Sequence, residues 1–439
     1  MDTSLELNIK DFRAIKKADI ALNGITVVTG INGCGKSSMS KFLYYALKYA
    51  NDYEVLAAQY LNIRLRPIHT VLEIMAQEVA RYSNEKEIWK DSWWVESTLA
   101  AKSSYLAAVC KVTNALFSIY EKEPEHTEVS RNRMMAILTS TLELPSTETI
   151  SFSALTSELY DMLSKLFNEV ERKVKERAYD LLEARLDTFF EGNGERNSLK
   201  EYGEQLVGEG TSVVPVPYYV QKVVYIDTPV IIGTDGIWPA CPHWDDLEIL
   251  LQIEGRESRK GITDVIKSEI LHGDVVLKED NSGHNKYIYM REDGKQFDLW
   301  ECATGIKSFS ILQLLIKNGF IDKHTLVILD EPEAHLHPQW VVEYARMVVM
   351  MHKMMGVKFF IASHSTDMVS AIRYIAEKER CLESLSFYLA EEDTASPYQY
   401  IYKDLKTNIE PIFDSFNKSF DKIEQYGESK GYSTEEDLL

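Results

Sequence analysis

An α/β fold with a mostly parallel central sheet and a helical insert is predicted by three stretches of this chain. Two continuous apolar runs, Ile25-Thr26-Val27-Val28 and Leu326-Val327-Ile328-Leu329, read as buried strands. The first leads into a glycine-rich loop and the second ends in a cluster of acids. Between them lies a long Leu-, Ala- and Glu-rich stretch of helical character.

The loop after the first run, Gly30-Ile31-Asn32-Gly33-Cys34-Gly35-Lys36-Ser37, fits the pattern G-x-x-x-x-G-K-[ST]. Its glycines let backbone N–H groups turn inward around phosphate oxygens. The helix that follows, with Met39, Leu43, Ala46 and Leu47 on one face, points its positive dipole end at them. Lys36 is suited to reach β/γ-phosphates and Ser37 to ligand Mg²⁺. A chance glycine-rich turn is the bland alternative, against which the strand–loop–helix setting counts.

Residues 51–210 form the expected helical insert. The break Glu121-Lys122-Glu123-Pro124-Glu125-His126 marks a loop between helices. Leu159, Met162, Leu163, Leu166, Phe167, Val170, Val174, Leu181 and Leu182 fall broadly on one face over roughly seven turns. That stripe suits a compact helical subdomain packing on itself or on a partner. Glu191-Gly192-Asn193-Gly194-Glu195 closes the pattern as a flexible boundary.

Strand character returns in 211–380, clearest in Val223-Val224-Tyr225-Ile226. A Trp/Pro loop over 237–244 carries Trp238 and Trp244, read as buried anchors ahead of a partner surface. A hairpin is expected over 287–300, turning at Glu292-Asp293-Gly294-Lys295. Ala303-Thr304-Gly305-Ile306-Lys307-Ser308 opens a helix, either as an anion-binding N-terminus or as an ordinary cap by Thr304 or Ser308.

The second apolar run then delivers Asp330-Glu331-Pro332-Glu333 to the C-terminal edge of the sheet, where ligands bind in open α/β folds. Asp330 suits a Mg²⁺ contact through water, and Glu331 suits orienting and deprotonating an attacking water. A solvated acidic turn is the alternative. A third strand, Val357-Lys358-Phe359-Phe360-Ile361-Ala362, ends at Ser363-His364-Ser365, where His364 either senses a γ-phosphate or merely caps the strand. In 381–439 a hairpin pairs 385–389 with 398–402. A helix bearing Ile412, Phe413, Phe416, Phe420 and Ile423 then precedes a polar tail.

Composition narrows the function. With 48 basic against 68 acidic residues the chain carries −20, which counts against a surface that coats nucleic acid. Lys10, Arg13, Lys16 and Lys17 are the best basic cluster, and a solvated face is their simpler reading. No apolar run approaches the ~18 residues that would span a bilayer, and Met1-Asp2-Thr3-Ser4 begins no signal peptide. Five widely spaced cysteines fit reduced thiols in a cytosol. Cys34 lies inside the phosphate loop, where alkylation is expected to block nucleotide. Neither Cys241 with His243, Asp245 and Asp246, nor His335 with His337, has a second ligand pair at metal-binding spacing.

Taken in order, these elements resemble ABC-type P-loop ATPases of the RecF/SMC and OLD-like group, standalone members rather than transporters. Leu5-Glu6-Leu7-Asn8-Ile9-Lys10-Asp11-Phe12-Arg13 is similar to that group's first strand and Phe-Arg turn. Gly30 to Ser37 matches its Walker A, and Thr304-Gly305-Ile306-Lys307-Ser308 resembles a degenerate signature loop. Asp330-Glu331-Pro332-Glu333-Ala334-His335-Leu336-His337-Pro338 is similar to its extended Walker B, and His364 to its switch histidine.

The resemblance implies a head split into 1–50 and 211–380 around the insert. It implies ATP and Mg²⁺ as cofactors, with Asn32, Gly33, Gly35, Lys36, Ser37 and Ser38 around the nucleotide. Ser37 and Asp330 would serve the metal, and Glu331 and His364 catalysis. Thr304 and Gly305 of one subunit would close over the nucleotide of another in a dimer, with His335 and His337 on a loop facing the partner.

Three features depart from that pattern. The signature lacks paired glycines and has Thr304 where serine is usual. No glutamine follows 223–226, leaving Asp227 or Thr228 as stand-ins for a Q-loop. No aromatic precedes Walker A to stack on adenine. No acidic-cluster nuclease domain follows the ATPase, so an effector is expected on a separate chain. The layout resembles the ATPase half of Septu-type anti-phage systems, whose partner is an HNH nuclease. The implied function is a nucleotide-gated ATPase switch in anti-phage defence or genome maintenance. The alternatives are an ATP-stabilised scaffold for an effector, or an ATP-dependent DNA-binding protein.

Overall fold

The computed structural model describes residues 4–82, 101–144, 150–191, 197–227, 242–253, 261–279 and 285–428. The glycine boundary at 192–195, Thr228, Trp238 and Cys241 lie outside them. The chain forms two compact units, one of Met1–Asn51 with Leu186–Leu439 and one of Asp52–Arg185.

The strands are β1 (Leu5–Phe12), β2 (Ile15–Ala21), β3 (Ile25–Thr29), β4 (Ser198–Glu201), β5 (Glu204–Val207) and β6 (Lys222–Ile226). They continue with β7 (Gly273–Glu279), β8 (Asn285–Arg291), β9 (Gln296–Asp298), β10 (Thr325–Asp330), β11 (Lys358–Ser363), β12 (Leu385–Glu392) and β13 (Tyr400–Lys406). The helices are α1 (Lys36–Asn51), α2 (Tyr53–Tyr82), α3 (Lys102–Lys122), α4 (Glu128–Thr141), α5 (Phe152–Glu176) and α6 (Tyr179–Phe190). After them come α7 (Pro242–Leu251), α8 (Ile262–Val265), α9 (Thr304–Lys317), α10 (Pro338–Met355), α11 (Thr366–Lys378) and α12 (Glu410–Glu428).

The head is built on a sheet ordered β5-β4-β1-β2-β13-β12-β3-β11-β10-β6. The five strands from β12 to β6 run parallel. β3, β10 and β11 are buried at every position, as continuous apolar strands covered on both faces must be. Both expected hairpins form: β8 pairs with β9 across a turn held by Gly294 at φ +84°, and β12 pairs with β13. Residues 198–207, assigned to the insert by sequence, are instead strands β4 and β5, which extend the sheet beyond β1.

The helical unit holds α2 to α5, with Leu61, Leu65, Leu72, Leu116, Leu159 and Phe167 fully buried in it. The expected single long helix is two. α5 stops at Arg177, which takes a left-handed φ of +49° while its guanidinium lies 4.9 Å from the Tyr53 ring centroid. An apolar stripe continues across such a break, so periodicity does not reveal it.

Candidate functional site

Three strand ends converge on one edge of the head sheet. The parallel register sets Asp330 of β10 beside Ala362 of β11, and Ser363 of β11 beside Thr29 of β3. The loops that follow these strands therefore emerge together.

After β3, the Walker A loop wraps onto the start of α1. Gly35 has φ +98°, and a Cβ there would stand 2.5 Å from Ile15 Cγ1, so only glycine fits. Lys36 is 4% exposed, its Nζ donating to the carbonyls of Gly30 at 3.0 Å and Ile31 at 3.1 Å. Over the loop lies a cavity of about 310 Å³ lined by Arg13, Ala14, Asn32, Gly33, Gly35, Lys36, Ser37, Ser38 and Glu331. Asn32, Gly33, Gly35, Lys36, Ser37 and Ser38, the residues the resemblance places around the nucleotide, all line it, whereas Gly30, Ile31 and Cys34 of the same loop do not. A larger cavity of about 910 Å³ borders Ile31, but its lining carries Glu391, Glu392 and Asp414 and no cation, which suits a phosphate poorly.

Asp330 ends β10 at 5% exposure. Its Oδ2 accepts from the Tyr225 hydroxyl at 2.6 Å, and Oδ1 is buried without a hydrogen-bond partner among the described residues. Burial raises its pKa, helped by the Asp227 and Glu331 charges and opposed by Tyr225 and by Ser37 beside it. Burial, with the Asp330 and Asp227 charges nearby, pushes the Tyr225 phenol far up, which keeps it a donor. An orphaned carboxylate oxygen next to the Walker A serine fits a hard divalent cation. When bound, Mg²⁺ supplies charge to neutralise the phosphates.

Glu331 follows in a left-handed backbone at φ +53°, its N–H donating to Ala362 O at 2.8 Å. A non-glycine residue there costs roughly 1–2 kcal/mol, and such strain gathers at functional sites. Its carboxylate reaches the cavity wall and lies 3.4 Å from His364 Nδ1. The loop that carries His364 is fixed by Glu333, a residue to which sequence reasoning gave no role. Buried Glu333 accepts from Ser363 Oγ and from the His364 N–H, both at 2.8 Å.

Arg13 was also missed as a site residue, although the Phe-Arg turn was its signal. It lines the cavity, donates to Ser38 Oγ at 3.2 Å and lies 5.6 Å from the ring centroids of Phe12 and Phe190. The rest of its basic cluster is neutralised in part, because Lys16 pairs with Asp393 at 2.5 Å and Lys17 with Asp19 at 2.8 Å.

Thr304 and Gly305 open α9 and are not among the residues lining the cavity. Neither Thr304 nor Ser308 caps that helix. The cap position is Ala303, with no side-chain bond, and Ser308 Oγ donates back to Thr304 O. A Cβ on Gly305 would come within 2.8 Å of Trp340 Cε3, so α10 packs against that turn.

Of the Q-loop stand-ins, Asp227 is occupied elsewhere. It accepts from Trp244 Nε1 at 2.9 Å and lies 3.2 Å from His243 Nε2. Burial would raise its pKa, but these two partners bring it below the usual range. Trp244 is thus an anchor, and among the described residues no cluster of metal-ligating side chains forms. His337 accepts from Gln339 N–H at the start of α10 and serves as that helix's cap. Cys34, inside the Walker A loop, is fully buried, with its thiol 3.6 Å from the Tyr402 hydroxyl.

Residues 245–370, spanning α9 and Walker B, match the family model described as "AAA domain, putative AbiEii toxin, Type IV TA system". Similar solved structures include the Smc head domain of Pyrococcus furiosus with an extended coiled coil, bound to the C-terminal domain of ScpA. It is 12% identical, covers 95% of this chain and 98% of that one, and has a TM-score of 0.35. The SMC head domain from Thermotoga maritima is 10% identical over 91% of this chain and 98% of its own, with a TM-score of 0.34. No helix among the described residues is long and apolar enough to cross a membrane. The Walker A and Walker B stretches thus meet at one edge of a parallel five-strand core, and residues 245–370, within the second half of the chain, are similar to the AAA domain family.

Proposed function

We propose that this protein binds Mg²⁺-ATP at the Lys36 loop and hydrolyses it, acting as a switch whose self-association is gated by nucleotide. One observation carries the reading: Glu331 lines the same cavity as Lys36 and Ser37. Lys36 and the loop N–H groups hold the β- and γ-phosphates, Ser37 and Asp330 serve the metal, and Glu331 orients and deprotonates the water. His364, beside Glu331, contacts the γ-phosphate.

Thr304 and Gly305 stand off this cavity on a helix start that no side chain caps. That suits them to close over the nucleotide of a second copy. The description of the matched AAA family, a toxin of toxin–antitoxin systems, supports a setting in anti-phage defence ahead of genome maintenance. A separate effector, an HNH nuclease in a Septu-like layout, is the partner that this setting calls for. The pairing of Lys16 and Lys17 with acids counts against direct DNA binding. The free thiols Cys34, Cys110, Cys302 and Cys381 suit a reducing cytosol.

The test is the light-scattering mass of Glu331→Gln with and without Mg²⁺-ATP. Blocking hydrolysis is expected to trap the closed state and double the mass. A fixed mass with ATP bound would point to a preassembled scaffold and sink the gating.

A further inference from the structure

Asp330 is held from a neighbouring strand. Tyr225 of β6 sits opposite Ile328 in the parallel pairing, and its hydroxyl crosses to Asp330 Oδ2 at 2.6 Å. The ring cannot swing away. It is 1% exposed, packs edge-on against His243 with centroids 4.8 Å apart, and lies tilted against Tyr44 of the Walker A helix at 5.7 Å. His243 is fixed in turn between the Tyr45 hydroxyl at 3.1 Å and Asp227 at 3.2 Å.

The terminal torsion of an aspartate is broad and two-fold, so a carboxylate with no donor on it has no unique orientation. One donor on Oδ2 selects one. A phenol does this without cancelling the negative charge, whereas a lysine or arginine in its place would compete with a cation for the carboxylate. The oxygen left over, Oδ1, is the buried one without a partner among the described residues.

We infer that Tyr225 is a positioning residue for Asp330, holding Oδ2 so that Oδ1 is presented to the divalent cation that accompanies the nucleotide. This rests on the ATP-site reading above. Tyr225 itself touches neither nucleotide nor metal.

The experiment is a titration of ATP binding against Mg²⁺ concentration, and in EDTA, for the wild type, Tyr225→Phe and Asp330→Asn. Phenylalanine keeps the ring packing and removes only the donor. Metal-free affinity is expected to stay unchanged, while the Mg²⁺ concentration giving the half-maximal gain in affinity rises about tenfold, the scale of one hydrogen bond to a charged group. In the Asp330→Asn background the same change is expected to add nothing, as for residues acting through one group.

A Tyr225→Phe protein with the wild-type Mg²⁺ midpoint would overturn the inference. So would a loss of metal-free affinity with that midpoint unmoved, which is the mark of a merely structural role. If the wild type binds no ATP, or gains nothing from Mg²⁺, the ATP-site reading falls instead. Thermal melting checks folding, and Tyr225→Leu, equally without a hydroxyl, takes over if the phenylalanine variant does not fold.

Discussion

The same parallel strands carry charge in opposite ways at their two ends. Where β6, β10 and β11 begin, Lys222 donates to Asp322 at 2.7 Å and to Phe320 O at 3.2 Å. Asp322 also accepts the His324 N–H at 2.7 Å. Lys358, 8% exposed, donates to Lys323 O and lies 4.0 Å from the Tyr219 ring centroid. Where the strands end, Asp330 and Glu333 each keep a buried oxygen with no partner among the described residues, and Glu331 sits in a strained backbone. Burial is common to both ends, so it does not mark function. An unpartnered atom alone does not mark it either, since His324 Nδ1 at the first end is also buried without a partner among the described residues. What separates them is charge: the ammonium groups of one end are met by acids and carbonyls, while the other keeps carboxylate oxygens that nothing described there meets.

That contrast breaks most visibly at Glu331. Glu331→Gln is expected to cut ATP turnover by about 10²–10⁴-fold, the usual contribution of a general base, with little change in melting temperature. Turnover is read as phosphate release, and a large fall in stability with turnover kept would reverse the assignment of that edge.

The opposite end sharpens the contrast with a smaller effect. Burial lowers the Lys358 pKa to about 8 from 10.5. Below pH 8 both folded and unfolded chains hold the proton, and the cost of burying the ammonium is felt in full. Between pH 8 and 10.5 the folded chain releases the proton while the unfolded chain keeps it, so stability rises with pH across that window. Lys358→Met is expected to gain about 1 kcal/mol at neutral pH and to lose the rise. Denaturant melts at pH 7.5 and 9.5 check both.

Much of the site was legible because its parts are contiguous. Gly30 to Ser37, Asp330-Glu331 and His364 each follow an apolar strand, and a parallel sheet brings such strand ends to one edge. What the sequence hid lies in contacts across the chain or in backbone conformation. Tyr225 meets Asp330 from 105 residues away, and no local pattern distinguishes it from any strand tyrosine. Glu333 looks like one more acid of the motif until its carboxylate is seen holding the His364 loop. Arg13 was visible in the Phe-Arg turn, yet its reach to Ser38 depends on how β1 and β2 stand beside α1. β4 and β5 are short, at four residues each, too short for alternation to declare them against a helical background. The stop at Arg177 is a matter of one φ angle, which hydrophobic periodicity does not encode.

The most direct measurement of the central claim is the Mg²⁺-ATP dissociation constant of the wild type, Lys36→Ala and Lys358→Met, side by side on folded protein. Lys36 and Lys358 stand at opposite ends of the parallel strands, and both are buried. If the Walker A end alone is the ligand site, Lys36→Ala weakens binding about a hundredfold, the scale of losing a charge-assisted pair of phosphate contacts, and Lys358→Met binds as the wild type does. Equal affinities for Lys36→Ala and wild type, or equal losses in both variants, would contradict it.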